Sequence, residues 1–306
     1  MSTLTLKGPY WVTVRQYRRT LSLVVGAVLL SLASMVALMY MDSPTAGTDP
    51  NFDYTVLRIA MDWASSAMIL LPLVVGAFVA GPMVARELES GTYKLALTQS
   101  VSPARWLGSK LLTAGAVIVP ATVALIGVYR LGWGNVGGTW SFQWHEAGTY
   151  EATGPVLVAQ VLLALGLGAL IGQLVRRTVT AMALTGLVTG LVLLLLGQLR
   201  WSLMPVQTLT GPLTEGSVGP DVPVSSWQGG YGLLTASGDR LPSDACWQRT
   251  EVWDVCPADM NVVAQYWDHH PASHHWPIQL IETGIVLALA ALALFAAFRV
   301  LRARHP

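Results

Sequence analysis

Long apolar runs separated by short polar stretches set the rhythm of this chain. Residues 20–41, 63–85, 111–129, 152–175, 178–199 and 277–298 are such runs, five of them without a charged residue and the last with only Glu282. A helix rising ~1.5 Å per residue needs roughly 20 residues to cross a hydrocarbon core about 30 Å thick, and each run is near that length. The pattern predicts an all-α integral membrane protein with six transmembrane helices. The first run follows nineteen residues of leader and lacks an A-x-A ending, so it reads as a retained helix rather than a cleaved signal peptide.

Punctuation within the runs adds local expectations. Pro72 and the pair Gly81-Pro82 should bend the second span, because proline removes a backbone hydrogen bond. The fourth and fifth spans carry Gly168-Ala-Leu-Ile-Gly172 and Gly186-Leu-Val-Thr-Gly190, the G-x-x-x-G form that lets helices approach closely, either within one subunit or between two. Residues 8–19 set Tyr10, Val14 and Tyr17 on one helical face and Arg15, Arg18 and Arg19 toward the other, which predicts a short helix lying in the membrane interface. Between the second and third spans, Gly91 can end a helix, Thr92 can cap a short helix over 93–98, and Ser102-Pro103 supplies an N-cap followed by proline at the first helical position. Three regions follow: residues 1–200 with five spans, a loop subdomain over 201–276 rich in Gly, Pro, Ser and Trp, and the last span with its tail over 277–306.

Composition strengthens the membrane reading. Of 306 residues, 53% are hydrophobic and 11% charged, too few charges for the water-facing surface of a globule, where about 25% is usual. The net charge of +1 becomes informative only when split by side. With the N-terminus inside, thirteen of the eighteen Lys and Arg fall in cytoplasmic segments, leaving Arg58, Arg130, Arg200, Arg240 and Arg249 outside. Both termini are therefore expected in the cytoplasm. Cys246 and Cys256, the only cysteines, then lie in the oxidising extracytoplasmic space and are expected to pair, and most of the twelve tryptophans share that side. Fifteen Arg against three Lys points to a bacterial genome rich in G and C.

Candidate chemistry is sparse. A P-loop needs lysine after glycine, yet Lys7, Lys94 and Lys110 follow Leu6, Tyr93 and Ser109, so ATP-driven work must come from another polypeptide. His269, His270, His274 and His275 form the one histidine cluster, but Pro271 interrupts it and no Cys or Glu stands at ligand spacing, which favours an interfacial loop with exposed histidines over a metal site. Ionisable and amide groups at membrane depth direct attention to Glu282, Asp62, Gln160, Gln173 and Gln198. Glu282, five residues past Pro277, could reach toward the headgroups or line a substrate path.

The stretch from Gly81 to Lys110, GPMVARELESGTYKLALTQSVSPARWLGSK, resembles the hallmark of the type-2 exporter permeases of the ATP-binding-cassette family. There R-E-x-E-x-G-T, a short helix and S-x-x-R-W-x-x-x-K join the second and third spans, positions filled here by Arg86, Glu87, Glu89, Gly91, Thr92, Arg105, Trp106 and Lys110. The resemblance implies a permease whose inner loop is a coupling helix docked on a separate ATPase. Arg86 and Glu87 would anchor the elbow, Gly91 and Thr92 shape its turn, and Arg105, Trp106 and Lys110 set the start of the third span. It further implies two ATPase copies holding ATP and Mg, a second permease copy or sister permease, lipid around the bundle, no nucleic acid, and export across a bacterial plasma membrane. An amphipathic or hydrophobic cargo suits an apolar bundle. Two rival readings are a sensor or immunity protein that recruits an ATPase but moves little, and a membrane enzyme using the histidines and acids on lipid-linked substrates.

Overall fold

The computed structural model describes residues 18–41, 56–93, 102–137, 142–213, 220–252 and 255–304. The expected interfacial helix over 8–19 and the expected short helix over 93–98 fall almost wholly outside these residues. Among the described residues, six helical stretches are long and apolar enough to cross a membrane: Ser22–Met41, Val56–Ser90, Pro103–Val136, Val156–Val175, Thr178–Leu203 and Ala272–Arg304. The chain divides into two compact units, the first holding Met1–Gly137, Glu146–Arg200 and Gln279–Pro306, the second Gly138–His145 and Trp201–Ile278.

In the first unit, α1 spans Arg18–Met41 and α2 spans Val56–Val74, which passes through a π-helical segment, Val75–Ala80, into α3, Gly81–Ser90. The expected bend is resolved as this change of helix type. Pro82 offers no N–H to the preceding turn, and the Gly81 N–H bonds instead to the Gly76 carbonyl, five residues back. Pro72 stays inside α2. The third span, α4 over Pro103–Val136, is longer at both ends than the expected 111–129, because Ser102 caps it with Pro103 in the first turn. The expected fourth span is broken at Gly154-Pro155 into a short α5, Thr149–Thr153, and α6, Val156–Val175. The span α7 follows over Thr178–Leu199, and α9, His275–Arg304, closes the chain.

The span α6 lies at the centre of this unit, with 78% of its apolar window buried against 6% for the first span. Its glycines explain why. A Cβ on Gly168 would stand 2.6 Å from the Ala80 carbonyl carbon, and one on Gly172 3.1 Å from the Gly81 carbonyl oxygen, so the π segment and α3 lie backbone to backbone on α6. Gly166 turns to Ala290 and Ala293 of α9, while Gly186 and Gly190 meet Ala77 and Leu73. Both G-x-x-x-G motifs are thus spent on packing inside one subunit. Val75, Ala80, Val161 and Leu165 form one buried cluster; Val84, Trp106, Leu107, Ala169, Ala297 and Leu301 form another.

The second unit holds an antiparallel sheet of order β1-β4-β2-β3, with β1 Gln207–Pro212, β2 Trp227–Thr235, β3 Arg240–Pro242 and β4 Val262–His270. Trp267 stands opposite both Leu209 and Tyr231, and β2 departs from regular register between Gln228 and Tyr231, where Gly229 and Gly230 lie. After β3, a single turn of helix, α8 over Trp247–Thr250, is bridged by the expected disulfide between Cys246 and Cys256, whose Cα atoms are 4.8 Å apart.

Replacing Gly168 by Val forces α3 and α6 apart and should cost about 3 kcal/mol. Its apparent melting temperature in detergent is expected to fall well below that of Gly115→Ala, where a Cβ meets nothing within 4 Å.

Candidate functional site: two polar clamps on the helix bundle

The last turn of α3 and the N-terminal part of α4 meet through one carboxylate. Glu87 accepts the Trp106 indole N–H on Oε2 at 3.0 Å and the Lys110 ammonium on Oε1 at 2.5 Å. Trp106 and Lys110 are one helical turn apart and so face the same side, with Nζ also 5.6 Å from the Trp106 ring centroid. Trp106 is only 7% exposed and packs among Val84, Leu107, Ala169, Ala297 and Leu301. One indole therefore ties four spans together beside the Glu87 carboxylate. Ser102 Oγ accepts the Arg105 N–H at 3.3 Å, which fixes where α4 begins.

Glu89, one turn-face away, reaches a different span. Its Oε2 accepts the Thr178 backbone N–H at 2.9 Å and the Thr178 hydroxyl at 2.5 Å, so a carboxylate on α3 caps the start of α7. The capping anion sits where the helix dipole favours it. Gly91 then ends α3 at φ 71°, a left-handed conformation that glycine adopts without strain, and Ser90 and Thr92 hydroxyls meet at 2.8 Å. Arg86 and Arg105 are exposed and make no ion pair among the described residues. Arg176, Arg177, Arg302 and Arg304 also end their helices here, so this is the basic end of the bundle.

At the opposite end a second clamp is buried. Arg200, just past α7 and 7% exposed, forks onto Glu282 of α9, with Nε to Oε2 at 2.7 Å and Nη2 to Oε1 at 3.1 Å. The same Nη2 donates to Glu151 Oε1 at 2.6 Å, and the guanidinium carbon stands 3.7 Å from the Tyr150 ring centroid. Glu151 also accepts the Gly148 N–H at 2.8 Å. Gln279 donates to the Tyr150 carbonyl at 2.6 Å, Arg130 donates to the Thr153 carbonyl, and the Tyr129 and Thr149 hydroxyls meet at 3.1 Å. The short α5 is thereby fastened to α4, α7 and α9. A guanidinium shared by two carboxylates at this depth is tolerable because its Nε and Nη2 donate to both carboxylates and its plane lies on the Tyr150 ring.

The model of the ABC-2 membrane transporter related family matches residues 20–200, more than half of the chain. The chain belongs to this family. No curated protein matches it. As a member of the ABC-2 membrane transporter related family it is a multi-pass membrane protein and a transport component of the permease kind rather than a catalyst. The family also implies association with an ATP-binding-cassette ATPase.

Within this ABC-2 protein the residues named from sequence fall into two groups. Glu87, Trp106 and Lys110 meet in one clamp, Glu89 reaches Thr178, Thr92 meets Ser90 and Gly91 ends α3, whereas Arg86 and Arg105 are exposed and make no ion pair among the described residues. Glu282 does not reach toward headgroups. It is 1% exposed beneath Arg200, because a carboxylate at that depth is stabilised far more by a fork than by a distant interface. Gln160 and Gln173 are buried, Asp62 and Gln198 exposed. Sequence reading missed Arg200, Glu151 and Thr178. The first two flank predicted spans, and an Arg and a Glu at the same depth were the available signal.

The histidines of the second unit are also placed differently from expectation. His269, His270, His274 and His275 are buried rather than exposed. His270 Nε2 lies 3.0 Å from the Trp201 carbonyl, which only accepts, so Nε2 donates. In the neutral ring Nδ1 then accepts, and its 3.0 Å contact with His274 Nδ1 makes His274 the donor. Among the described residues, no three His, Cys, Asp or Glu side chains are grouped to hold a metal ion. The rings of Trp201 and Trp227 enclose His270, and Trp227 stacks on His145.

Two outcomes follow from these contacts. Arg200→Leu leaves Glu151 and Glu282 buried without their cation and should lower stability by about 3 kcal/mol, measured by thermal unfolding in detergent, with Glu282→Gln costing less because its amide oxygen still accepts from Arg200. Burial lowers the pKa of His270 and brings that of His145 to about 4, against the weaker opposing bonds to Trp201 and Ser226. A depressed histidine leaves the native state neutral while the unfolded chain takes up protons, so the second unit is fully stable above about pH 6.5 and loses stability as pH falls toward 4. Tryptophan fluorescence followed from pH 8 to 4 should report that loss, and His145→Gln should reduce it.

Proposed function

We propose that this chain is the membrane-spanning subunit of an ATP-driven exporter in a bacterial plasma membrane, with the basic end and both termini in the cytoplasm. It works with a second permease copy or a sister permease and two ATPase subunits that bind ATP and Mg. The cargo is amphipathic or hydrophobic. The observation that carries this reading is the Glu87 clamp, which fastens the end of the second span to the start of the third on either side of residues 94–101. A segment held at both ends by a carboxylate and a buried indole can pass a push from an ATPase into the bundle as a lever, where a slack loop would absorb it. Exposed Arg86 and Arg105 flank the same segment and suit acidic or polar contacts on the ATPase. The ionisable side chains of both clamps are engaged by neighbours in the chain, which leaves apolar surface for a cargo path and supports the cargo class.

Affinity capture of the tagged chain from a bacterial membrane in mild detergent, with an ATPase assay of the eluate, tests this. An ATPase subunit should co-purify, and Arg86→Glu with Arg105→Glu should cut its recovery at least tenfold at unchanged melting temperature, while Glu87→Ala lowers transport per ATP hydrolysed. A chain that purifies alone, or equal recovery with both arginines reversed, would overturn the reading.

A further inference from the structure

At the basic end of the first unit, the ends of α3, α6 and α9 enclose a shallow recess lined by Leu88, Gln173, Arg176, Leu301 and Arg304. Two of its five residues are cationic and none is acidic. The carboxylates nearest in sequence are turned away: Glu87 is committed to Trp106 and Lys110, and Glu89 to Thr178, which leaves Leu88 between them on the recess side. Arg304 donates one N–H to the Gln173 carbonyl at 2.5 Å, which holds its guanidinium across the opening, and neither Arg304 nor Arg176 makes an ion pair among the described residues. A guanidinium has five N–H donors, so most of this capacity is unused.

Two further observations give the recess a ligand chemistry. Gln173 is 2% exposed, its amide N–H donates to the Ala169 carbonyl at 3.1 Å, and its side-chain oxygen has no hydrogen-bond partner. An unmatched buried acceptor has a polarity that the two neighbouring cations offset, and those cations suit a ligand that brings negative charge. Arg176 closes α6 at φ 55°, a left-handed position where glycine would be strain-free and arginine costs stability. Leu88 and buried Leu301 add an apolar wall that a free anion in water would not use.

We infer that the mouth of this recess binds one anionic phospholipid, its phosphate on the exposed Arg176 and Arg304 and its acyl-glycerol edge against half-buried Leu88. Basic pockets between helix ends recognise anionic headgroups by this combination of fork and wall. The bound lipid would bridge the second, fourth and sixth spans at the end where the Glu87 clamp sits.

The full chain, purified and delipidated, is titrated in native mass spectrometry with phosphatidylglycerol, with phosphatidylcholine, and with inorganic phosphate as competitor; no ATPase is needed, so the outcome is independent of the exporter reading. One phosphatidylglycerol should bind per chain at least tenfold more tightly than phosphatidylcholine, and inorganic phosphate should not displace it. Arg176→Gly, which removes the charge and relieves the backbone, should keep or raise the melting temperature yet weaken binding at least tenfold; Arg304→Gln should do likewise. Arg299→Gln, the same charge change over the Phe295 ring, should leave binding intact. Equal binding of the two lipids, undiminished binding by Arg176→Gly, or displacement by phosphate would overturn the inference.

Discussion

The absence of side chains at Gly168 and Gly172 is the constraint on which the first unit rests. In lipid there is little hydrophobic drive for one apolar helix to leave lipid for another, so association depends on close contact and on polar groups that find partners. Backbone-to-backbone approach of α6 to the π segment and α3 supplies the contact and fixes how closely α3 lies on α6. With α3 held there, Glu87 reaches α4 and Glu89 reaches α7. A side chain at either glycine would displace both carboxylates from their partners at once.

The polar clamps at the two ends differ in what they are exposed to, and so in what they contribute. Glu87 and Lys110 are partly solvated, with 34% and 16% of their side chains exposed, and such a pair gives geometry more than energy. The Trp106 indole supplies the energy by burial, and the carboxylate fixes its orientation. Arg200 with Glu151 and Glu282 is the reverse case: three charges taken out of water, with little net gain over an apolar core but a large penalty for any arrangement that separates them. That asymmetry selects a single relative placement of α5, α7 and α9. Between the ends the π segment carries i→i+5 bonding at Gly76–Gly81, the one place where the second span departs from regular helix geometry.

Much of this was legible in the sequence because its signals were local. Run length and charge gave six spans; Ser102-Pro103 and Gly91 gave two helix ends that are observed; and Cys246 and Cys256 pair as expected. What was not legible depended on contacts far apart in the chain. Arg200 and Glu282 are 82 residues apart, and Glu89 and Thr178 are 89 apart, so neither pattern marks the partner. The strands of the second unit were missed for another reason. Val262–His270 mixes Val, Tyr and Trp with Gln, Asp and His without clean alternation, and its burial varies the same way, because both faces of β4 are partly covered. The histidines were misplaced by the same blindness: a His-Pro-x-x-His-His string reads as a polar loop until Trp201 and Trp227 close over it.

The family match and the division into units meet at one residue. The matched region ends at 200 and the second unit resumes at Trp201, so Arg200 is the last residue of the family's region while its partner Glu282 lies beyond it. The Arg200 clamp therefore closes the family portion of the bundle onto the last span. The helix bearing Arg200 and the helix bearing Glu282 are held within hydrogen-bonding distance across 82 residues of sequence, so the fork is a long-range closure within the first unit. Closing so long a loop costs chain entropy that grows only slowly with its length, and the buried fork, whose separation would strand charges at low dielectric, holds the two helices against that cost.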